Sequence, residues 1–520
     1  MPEVRDSFDV VVRPASEMTL KRRRTRQVLR RRLRANIRDG LSREGMTGRV
    51  ASRLSRLIIS VDVADDGPEV TRERVRDVLS RMFGVGSFSF TLGTCAPELD
   101  EIVEVGRALF ASRVQGRRYA VRCKRMGRHA FRSVDVERAL GAALNPGARV
   151  DLDDPEVTVA LEVDEERATF FSERMPGPGG LPLGVGGRAL ALMSGGYDSA
   201  VAAWMLMKRG IEVDFVFFRI GGEATERLAL QVAKVLSDRW AAGTRPELYS
   251  VDFGAVVDDL RASAGPSHWQ VVLKRQMLRA ADALADEAEA ASEQAAAAGR
   301  PARRWRQVDA LITGESVGQV SSQTLGNLRV IHDAARRPVL RPLVGMDKTD
   351  IIAYADRVGT GPLSARVRES CAIAVGRTET RAHPDRVAAN ERGLHQEVLR
   401  DAVAQRRAYA LRALTSADLV LPFLFTDDVP DGAELVDCSV DGAGGWRPAG
   451  TRVVPAPTLL AGRADLDKDA TYVLFCRFGT QSAHAAEVLQ QLGYEAYAFR
   501  GGMPALRRAL EGGSPGRVAS

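Results

Sequence analysis

The chain has 520 residues, of which 45% are hydrophobic and 27% are charged. These values are ordinary for a folded protein of several domains, and they exclude wholesale disorder and fibrous repeats. No run approaches the roughly 18 apolar residues that a membrane span needs, so no membrane partner is expected. The basic N-terminal residues are not followed by an apolar signal-peptide core, and we expect a cytoplasmic protein. The five cysteines include no Cys-x-x-Cys pair, which excludes a disulfide scaffold and a zinc ribbon.

The net charge of +7 is unevenly distributed along the chain. Residues 1–60 hold sixteen lysines and arginines against six acidic residues. Leu29, Leu33 and Ile37 recur at helical spacing in this run, which predicts an amphipathic basic helix. Such a helix favours contact with nucleic-acid phosphates, and the alternative is a solvated face. The candidate phosphate contacts, in this helix and in a second basic cluster, are Lys21, Arg30, Arg31, Arg122, Lys124, Arg125 and Arg128.

The first third of the chain predicts an α+β arrangement. Alternating or β-branched patterns predict strands at 8–13, 57–63, 119–124 and 157–163. Helical patterns cover the basic run and 134–144. Residues 176–187 are rich in Pro and Gly, which is typical of a linker.

The middle third alternates strand and helix patterns, which predicts a parallel, doubly wound sheet. Strands are expected at 189–193, 213–218, 248–253 and 308–314. The alanine-rich residues 281–298 predict an extended helix and surface insertion, and 385–414 predict a further helical stretch. In the last third, a helix after Cys476 and strands at 435–439, 472–476 and 495–499 predict a second small α/β domain.

One hexapeptide, Ser194-Gly195-Gly196-Tyr197-Asp198-Ser199, lies between a predicted buried strand and a predicted helix. Its glycines let the backbone approach a ligand, and the N–H groups at a helix start favour an anion. Asp198 suits this setting if it holds Mg²⁺ against phosphates. The Walker pattern is absent, which excludes a P-loop NTPase. The hexapeptide is typical of the pyrophosphate loop of ATP pyrophosphatases, so ATP and Mg²⁺ are expected and no permanently bound cofactor is.

An adenylating enzyme needs a nucleophile that displaces AMP, and the chain offers Cys371 and Cys476. Cys476 ends a predicted strand and opens a helix, where backbone N–H groups and Arg477 would stabilise a thiolate. This setting suits a persulfide. The alternative for either cysteine is a small buried hydrophobe. Burial without reactivity is what we expect of the other three, Cys95, Cys123 and Cys438.

These features together resemble the tRNA 4-thiouridine synthetase family (tRNA sulfurtransferases, ThiI) over nearly the whole chain. The segments that carry the resemblance are 8–21, 119–133, 148–163, 194–199, 271–277, 311–329, 340–352, ESCAI at 369–373 and LFCRFGTQS at 474–482. The resemblance implies a multidomain α/β protein. Its parts would be an N-terminal ferredoxin-like domain (1–66), a THUMP RNA-binding domain (67–170), a linker (171–187), a doubly wound PP-loop ATP pyrophosphatase domain (188–414) and a rhodanese-like domain (415–520).

The resemblance also implies roles for individual residues. Asp198 would serve the Mg·ATP chemistry, and Lys348 would face phosphate as a cation. Cys476 would carry a persulfide, and Cys371 would resolve it by forming a disulfide with Cys476. Contacts with ATP are implied for Leu192, Met193, Ser194, Gly195, Gly196, Ser199, Phe217, Phe218, Lys274, Gly314 and Gln323.

The implied reaction is ATP-dependent sulfur transfer to uridine 8 of tRNA, through a uridine adenylate and a protein persulfide, to give 4-thiouridine. The implied partners are tRNA and a cysteine desulfurase as sulfur donor, and a homodimer is left open. The alternative is a sulfurtransferase that supplies a sulfur-carrier protein for thiamine thiazole synthesis, against which the basic clusters and the intact hexapeptide argue.

Two further alternatives are less consistent with the residues. A non-enzymatic RNA-binding protein would have lost Asp198 or Cys476, and an RNA ligase with an amine nucleophile would not need two matched cysteines. The chain departs from the family at Arg477, where an acidic or polar residue more often follows the cysteine.

Overall fold

Three β-sheets organise this chain in the computed structural model, which describes residues 7–53, 56–64, 67–220, 223–297, 307–365, 379–419, 424–439, 446–460, 462–476 and 480–511. Two compact units contain them, Met1–Pro182 and Leu183–Ser520. The first unit holds one mixed sheet, and the second holds a six-stranded and a five-stranded sheet. A mixed α/β protein with several sheets confirms the predicted fold class.

The sheet of the first unit runs in the order β2-β3-β1-β4-β8-β7-β5-β6, with β9 beside β4. Its long strand β4 pairs antiparallel with β1 over its first part and with β8 over its last part, where the register shifts between Thr91 and Gly93. One sheet therefore joins both halves of the unit. The strands are β1 (Ser7–Pro14), β2 (Gly48–Arg53), β3 (Arg56–Asp62), β4 (Val85–Cys95), β5 (Arg118–Arg125), β6 (Arg149–Val150), β7 (Val157–Val163), β8 (Ala168–Phe171) and β9 (Met175–Pro176). The helices are α1 (Ser16–Thr19), α2 (Arg23–Arg43), α3 (Pro68–Ser80), α4 (Leu99–Val114) and α5 (Ser133–Leu144).

The basic run forms helix α2, as its apolar spacing predicts. Leu29, Leu33 and Ile37 lie on one face and are buried. Arg30 donates to a backbone carbonyl of β3, and Arg34 donates to one of β2, each at 3.1 Å. Part of the positive charge therefore fixes α2 to its own sheet.

A buried ion-pair cluster links the two halves of this sheet. Glu162 on β7 accepts from Arg13 on β1 at 3.3 Å and from Arg56 on β3 at 3.2 Å. Burial raises the pKa of Glu162, but the two guanidinium groups outweigh it and the pKa lies below its ordinary value. Arg13 also donates to Ser89 on β4 and lies over the ring of Phe171.

The six-stranded sheet of the second unit runs in the order β14-β13-β10-β11-β12-β15 and is parallel except for β15. The predicted doubly wound parallel sheet is confirmed, with an added antiparallel edge. The strands are β10 (Arg188–Met193), β11 (Glu212–Arg219), β12 (Glu247–Asp252), β13 (Ala310–Ile312), β14 (Val339–Leu340) and β15 (Arg407–Ala410). The helices are α6 (Tyr197–Met207), α7 (Glu223–Trp240), α8 (Gly254–Ser263), α9 (Trp269–Ala297), α10 (Leu325–His332), α11 (Lys348–Val358), α12 (Gly361–Ser364), α13 (Pro384–Glu391), α14 (Gln396–Ala404) and α15 (Ser416–Leu419).

Two predictions in this region need correction. The helical pattern at 385–414 ends with α14, and β15 follows it on the edge of β12. Pairing there satisfies backbone groups that an open sheet edge would leave exposed. The alanine-rich segment continues α9, but Ala281, Leu284 and Ala285 are buried in the core. The start of the alanine-rich segment is therefore part of the core and not a surface insertion. Its small side chains let the helix pack closely.

The five-stranded sheet runs in the order β16-β20-β19-β17-β18, and all of its pairs are parallel. This arrangement agrees with the predicted small α/β domain. Its elements are β16 (Phe425–Thr426), β17 (Glu434–Asp437), β18 (Arg452–Val453), α16 (Ala456–Leu460), β19 (Thr471–Phe475), α17 (Thr480–Gln491), β20 (Glu495–Phe499) and α18 (Gly502–Glu511). Among the residues described, no helix has both the length and the apolar character of a membrane span.

Candidate active site

The Gly-rich hexapeptide connects β10 to α6 at the carboxyl edge of the six-stranded sheet. Gly195 has a φ of 79°, in the left-handed region that favours glycine. The Ser194 N–H donates to Ser199 Oγ at 3.2 Å, and the Gly196 N–H donates to Ser194 Oγ at 3.3 Å. The serine hydroxyls thus close the turn at the start of α6. Ligands of open parallel sheets bind at this edge.

Gly314, just after β13, lies against the first turn of α6. A Cβ on Gly314 would come within 2.6 Å of the Asp198 carbonyl carbon. Only a glycine therefore lets this loop approach the start of the helix so closely. Close packing of the backbone gives Gly314 a structural role in addition to the ATP contact that the resemblance implies.

The structure brings together two predicted catalytic residues that lie far apart in the sequence. Lys348, the first residue of α11, places Nζ 3.0 and 3.2 Å from the two carboxylate oxygens of Asp198. Gln319 donates to Asp198 Oδ2 at 2.9 Å. The Lys348 ammonium also lies 5.6 Å from the ring centroid of Tyr197. Asp198 thereby holds a cation beside the Gly-rich turn, and Gln319 is a partner that the sequence did not predict.

A second charged cluster surrounds Glu315. Its Oε1 accepts from Lys274 at 3.0 Å, and its Oε2 accepts from Arg341 at 2.8 Å and from Thr313 at 3.1 Å. Burial raises the pKa of Glu315, but Lys274 and Arg341 outweigh it, and the pKa lies below the ordinary value. Of these residues the sequence predicted only Lys274. The segments TGES (313–316) and LRPL (340–343) contain the others, but their pairing depends on the fold.

The predicted apolar contacts for ATP lie on two adjacent strands. Met193 pairs in register with Phe217 at the carboxyl ends of β10 and β11. Met193, Phe217 and Phe218 are buried, and Leu192 is half-buried. Gln323 is also buried, and its Oε1 has no hydrogen-bond partner within the described chain. A buried unpaired acceptor is costly, so Gln323 is suited to bind a donor of a ligand.

The predicted sulfur carrier, Cys476, directly follows β19 in the five-stranded sheet. Its side chain is buried, and its Sγ accepts from the Ser482 N–H at 3.4 Å. Ser482 lies in the first turn of α17, and its Oγ is 3.6 Å from the same sulfur. The cysteine thus faces a helix N-terminus, as the sequence predicts. Cys371 and Arg477 lie outside the described residues, so their placement and the Cys371–Cys476 disulfide stay predictions.

The remaining cysteines agree only in part with the prediction that they are buried. Cys438 is buried, whereas Cys95 and Cys123 are half-buried. Burial and the nearby Glu101 raise the pKa of Cys95 to about 11. Burial and the nearby Glu137 raise the pKa of Cys123 to about 11 as well. Both thiols are therefore protonated and unreactive at neutral pH.

The predicted nucleic-acid contacts all belong to the first unit. Those on the surface are Lys21, Arg31, Arg122, Lys124 and Arg128. Arg30 and Arg125 are half-buried, and both donate to backbone carbonyls. The exposed members form two basic surfaces, one on α2 and Lys21 just before it, and one on β5 and the loop after it.

A parallel sheet with a Gly-rich turn and an aspartate–lysine pair at its carboxyl edge defines a PP-loop nucleotide-binding protein. The family model described as "Thiamine biosynthesis protein (ThiI)" matches residues 184–395, and the THUMP domain model matches 96–173.

The chain is 34% identical over 504 residues to a tRNA sulfurtransferase of Desulfurococcus amylolyticus, covering 96% of this chain and 98% of the relative. It is 37% identical over 441 residues to a tRNA sulfurtransferase of Marinobacter nauticus, covering 83% and 84%. The chain therefore belongs to the tRNA sulfurtransferase family. A solved 4-thiouridine synthetase–RNA complex with bound ATP is 26% identical, with a TM-score of 0.63, and covers 78% of this chain and 99% of that one.

Proposed function

We propose that this protein is a tRNA uracil 4-sulfurtransferase, which uses ATP to convert uridine 8 of tRNA to 4-thiouridine. The observation that carries the proposal is the Asp198–Lys348 pair beside the Gly-rich turn, in a chain that belongs to the tRNA sulfurtransferase family. A 4-thiouridine synthetase solved with RNA and ATP has a similar fold. An RNA and ATP are thus bound together in a related protein.

In the first step, the turn would hold ATP phosphates through N–H groups at the start of α6, and Lys348 would offset their charge. The uracil O4 attacks the α-phosphorus, pyrophosphate leaves, and the carbonyl oxygen becomes part of an AMP leaving group. Asp198 would position Lys348 throughout. Lys274, held by Glu315, would supply a second cation.

Mg²⁺ fits this site only as an ion that arrives with ATP. No cluster of three or more potential metal-ligating side chains occurs among the residues that the structure describes. Asp198 offers one carboxylate, whose oxygens already accept from Lys348 and Gln319. Mg²⁺ in such sites takes one or two carboxylates along with substrate phosphates and water. When bound, it would neutralise phosphate charge.

In the second step, Cys476 would supply the sulfur. A cysteine desulfurase loads it as a persulfide, whose terminal sulfur attacks C4 of the uracil and displaces AMP. Cys371 then attacks the Cys476 sulfur, which forms a Cys371–Cys476 disulfide and leaves the transferred sulfur on the base; a reductant restores both thiols. The Ser482 N–H beside Cys476 supports this role, because it favours an anionic sulfur. The role of Cys371, and the assignment of this part as rhodanese-like, rest on the family resemblance.

The exposed basic residues of α2 and β5 would bind the tRNA backbone. Lysines and arginines provide such affinity through phosphates and without base sequence. Double-stranded RNA is recognised mainly by its shape and backbone, so these surfaces suit a helical stem. The target base would have to leave its stack to reach the nucleotide site.

Supply of sulfur to a thiamine-pathway carrier is the alternative function, and the site does not favour it. Such transfer would use Cys476 and a carrier, whereas the Asp198–Lys348 pair and the basic surfaces suit a nucleotide and an RNA. A deletion strain complemented with Cys476→Ala or with Asp198→Asn and grown without thiamine separates the two. If only the Cys476→Ala strain needs thiamine, the chain has this activity as well.

Release of AMP tests the two steps together, because the uridine must be adenylated before the persulfide can displace AMP. With labelled ATP, tRNA and a desulfurase, the wild-type chain should release AMP, and Lys348→Met should reduce the rate at least about 100-fold. Lys208→Met is the matched control, because Lys208 follows the other end of α6, over the Trp204 ring. If the Lys348 and Lys208 variants have equal activity, the site assignment is wrong.

A further inference from the structure

A second cysteine lies beside Cys476 in the five-stranded sheet. Strands β17 and β19 are parallel and end with Asp437 opposite Phe475, so Cys438 and Cys476 are the residues that directly follow the two strands. The ladder continues through them, because the Cys438 N–H donates to the Phe475 carbonyl at 2.9 Å. Cys438 is 0% and Cys476 is 2% exposed. Two thiols are thus packed together at the carboxyl edge of the sheet.

The Cys438 thiol has two acceptors within reach. Its Sγ is 3.2 Å from the Phe475 carbonyl oxygen. The Cys476 side chain is the second acceptor, and a hydrogen bond to it is one of the causes that raise the pKa of the Cys438 thiol. A thiol carries one hydrogen and rotates freely, so it can donate to either acceptor. When Cys476 is ionised, its sulfur is the stronger acceptor, because hydrogen bonds to ionised groups are roughly twice as strong as neutral ones.

The surroundings of Cys438 keep its thiol protonated, so that it can donate a hydrogen bond. Burial raises the pKa of the Cys438 thiol well above its ordinary value, and the neighbouring Cys476 and Asp437 raise it further. The Asp437 carboxylate is itself paired with Arg447 at 2.6 Å. From the adjoining helices, α17 contributes Ser482 to Cys476, and α16 contributes the Ala456 N–H to the Cys438 carbonyl. Within the part of the chain that the structure describes, the ionisable side chains that raise the pKa of the thiol are therefore Cys476 and Asp437, and Asp437 is paired with Arg447.

We propose that Cys438 is a positioning residue that donates a hydrogen bond to the Cys476 sulfur and, together with the Ser482 N–H, stabilises its anionic form. The inference rests on the proposed role of Cys476 as the sulfur carrier. It differs from that role because Cys438 itself neither carries nor resolves sulfur. A protonated thiol is a weak nucleophile, so it can lie beside a persulfide without discharging it.

The test is the alkylation rate of Cys476 in the full-length chain. Iodoacetamide is applied from about pH 5 to about pH 10, a range that spans ordinary thiol titration, and Cys476 is followed by peptide mass spectrometry. In Cys438→Ala the titration midpoint should rise, and the rate at neutral pH should fall about tenfold, as expected for one lost hydrogen bond to a charged group. Cys438→Ser keeps an O–H donor and should stay near wild type.

Cys123→Ala is the matched control, since it removes a cysteine from the other unit. A thermal melt identifies any variant that does not fold. An unchanged Cys476 midpoint in folded Cys438→Ala overturns the inference, and so does a serine variant that matches the alanine variant. A Cys438–Cys476 disulfide that forms on sulfur loading overturns it too. Sulfur loading of the wild type is measured separately, so failure of Cys476 as carrier is distinguishable from failure of Cys438 as donor.

Discussion

Asp198 places a negative charge beside the Gly-rich turn that we propose binds phosphates. A carboxylate beside a phosphate-binding turn repels the anion unless a cation lies between them. Lys348 contacts both oxygens of Asp198, and Gln319 holds one of them. The charge of Asp198 therefore orients an ammonium group toward the position that phosphates would occupy.

Asp198→Asn should reduce the rate of AMP formation at least about 100-fold and leave tRNA affinity unchanged, because the proposed tRNA-binding surfaces lie on other residues. The contact between Asp198 and Lys348 predicts a second result. Since Asp198 and Lys348 act as a pair, the double variant with Lys348→Met should lose little more than either single variant. Single-turnover rates measure this coupling. Additive losses would show that the two residues act independently.

Glu315 gives a prediction about pH. Its pKa in the folded chain lies below the ordinary value, so its charge stabilises the fold above the unfolded pKa. That stabilisation is lost as pH falls from about 4.3, the ordinary glutamate value, through the folded pKa. The wild-type chain should therefore melt at a higher temperature than Glu315→Gln at neutral pH, and this difference in melting temperature should vanish in acid.

Thermal melts of both chains over an acid series check this prediction. Glu69→Gln is a suitable control, because Glu69 forms an exposed pair with Arg72 on α3. Such pairs are worth little, so this variant should melt like wild type throughout. A difference between wild type and Glu315→Gln that persists unchanged into acid would show that the charge of Glu315 does not stabilise the fold.

At the scale of elements, helix α2 divides its basic residues between two tasks. Arg30 and Arg34 bond the neighbouring strands, whereas Lys21, just before the helix, and Arg31 are exposed. Lys21→Ala with Arg31→Ala should weaken tRNA binding and reduce the salt slope by about one charge each, without loss of stability. Arg34→Ala should cost about 1 kcal/mol of unfolding free energy instead.

Binding titrations at several salt concentrations, with urea unfolding of the same samples, separate these effects. If Lys21→Ala with Arg31→Ala leaves the salt slope unchanged, the exposed face of α2 binds something other than tRNA. If Arg34→Ala is as stable as wild type, its hydrogen bond to β2 contributes nothing.

The cluster around Glu162 belongs to the same scale, because it ties three strands together. Glu162→Ala leaves Arg13 buried without its partner carboxylate, and removal of one member of such a pair costs about 3 to 5 kcal/mol. Arg13 has a side-chain exposure of 11%. Denaturant unfolding should show a large loss, and Glu166→Ala should show little, because Glu166 is largely exposed. Equal stabilities of the two variants would contradict this account.

Elements with strong local periodicity could be predicted from sequence. Helix α2 follows from the spacing of Leu29, Leu33 and Ile37, and the parallel strands follow from their apolar runs. Strand β15 could not, because its four residues are fixed by pairing with β12 rather than by a pattern of their own. The core position of Ala281 and Ala285 could not be predicted for a different reason, because a run of alanines does not distinguish a buried face from an exposed one.

In the candidate site, too, some features could be predicted from the sequence and others could not. Asp198 and Cys476 lie in short motifs that carry their chemistry locally. The contacts of Asp198 with Lys348 and Gln319 are tertiary and join segments far apart in the chain. Nothing in the sequence distinguishes Glu315 from other glutamates, because Lys274 and Arg341 lie beside it only in the folded chain.

At the scale of the molecule, the proposed reaction is distributed over three sheets. The proposed nucleotide site and the proposed sulfur site each lie at the carboxyl edge of a parallel sheet of the second unit, and the basic surfaces lie on the first unit. Each step therefore uses its own set of residues. A variant in one set should block its step and leave binding in the others intact.

The central claim is that ATP and Cys476 together place sulfur on a tRNA uridine, and mass spectrometry of tRNA nucleosides tests it most directly. The purified chain is incubated with tRNA, ATP, Mg²⁺, cysteine and a cysteine desulfurase. We predict a 4-thiouridine peak that requires ATP and disappears in Asp198→Asn and in Cys476→Ala. A peak of equal size without ATP, or no peak from wild-type chain that binds tRNA and carries a persulfide on Cys476, would contradict the account.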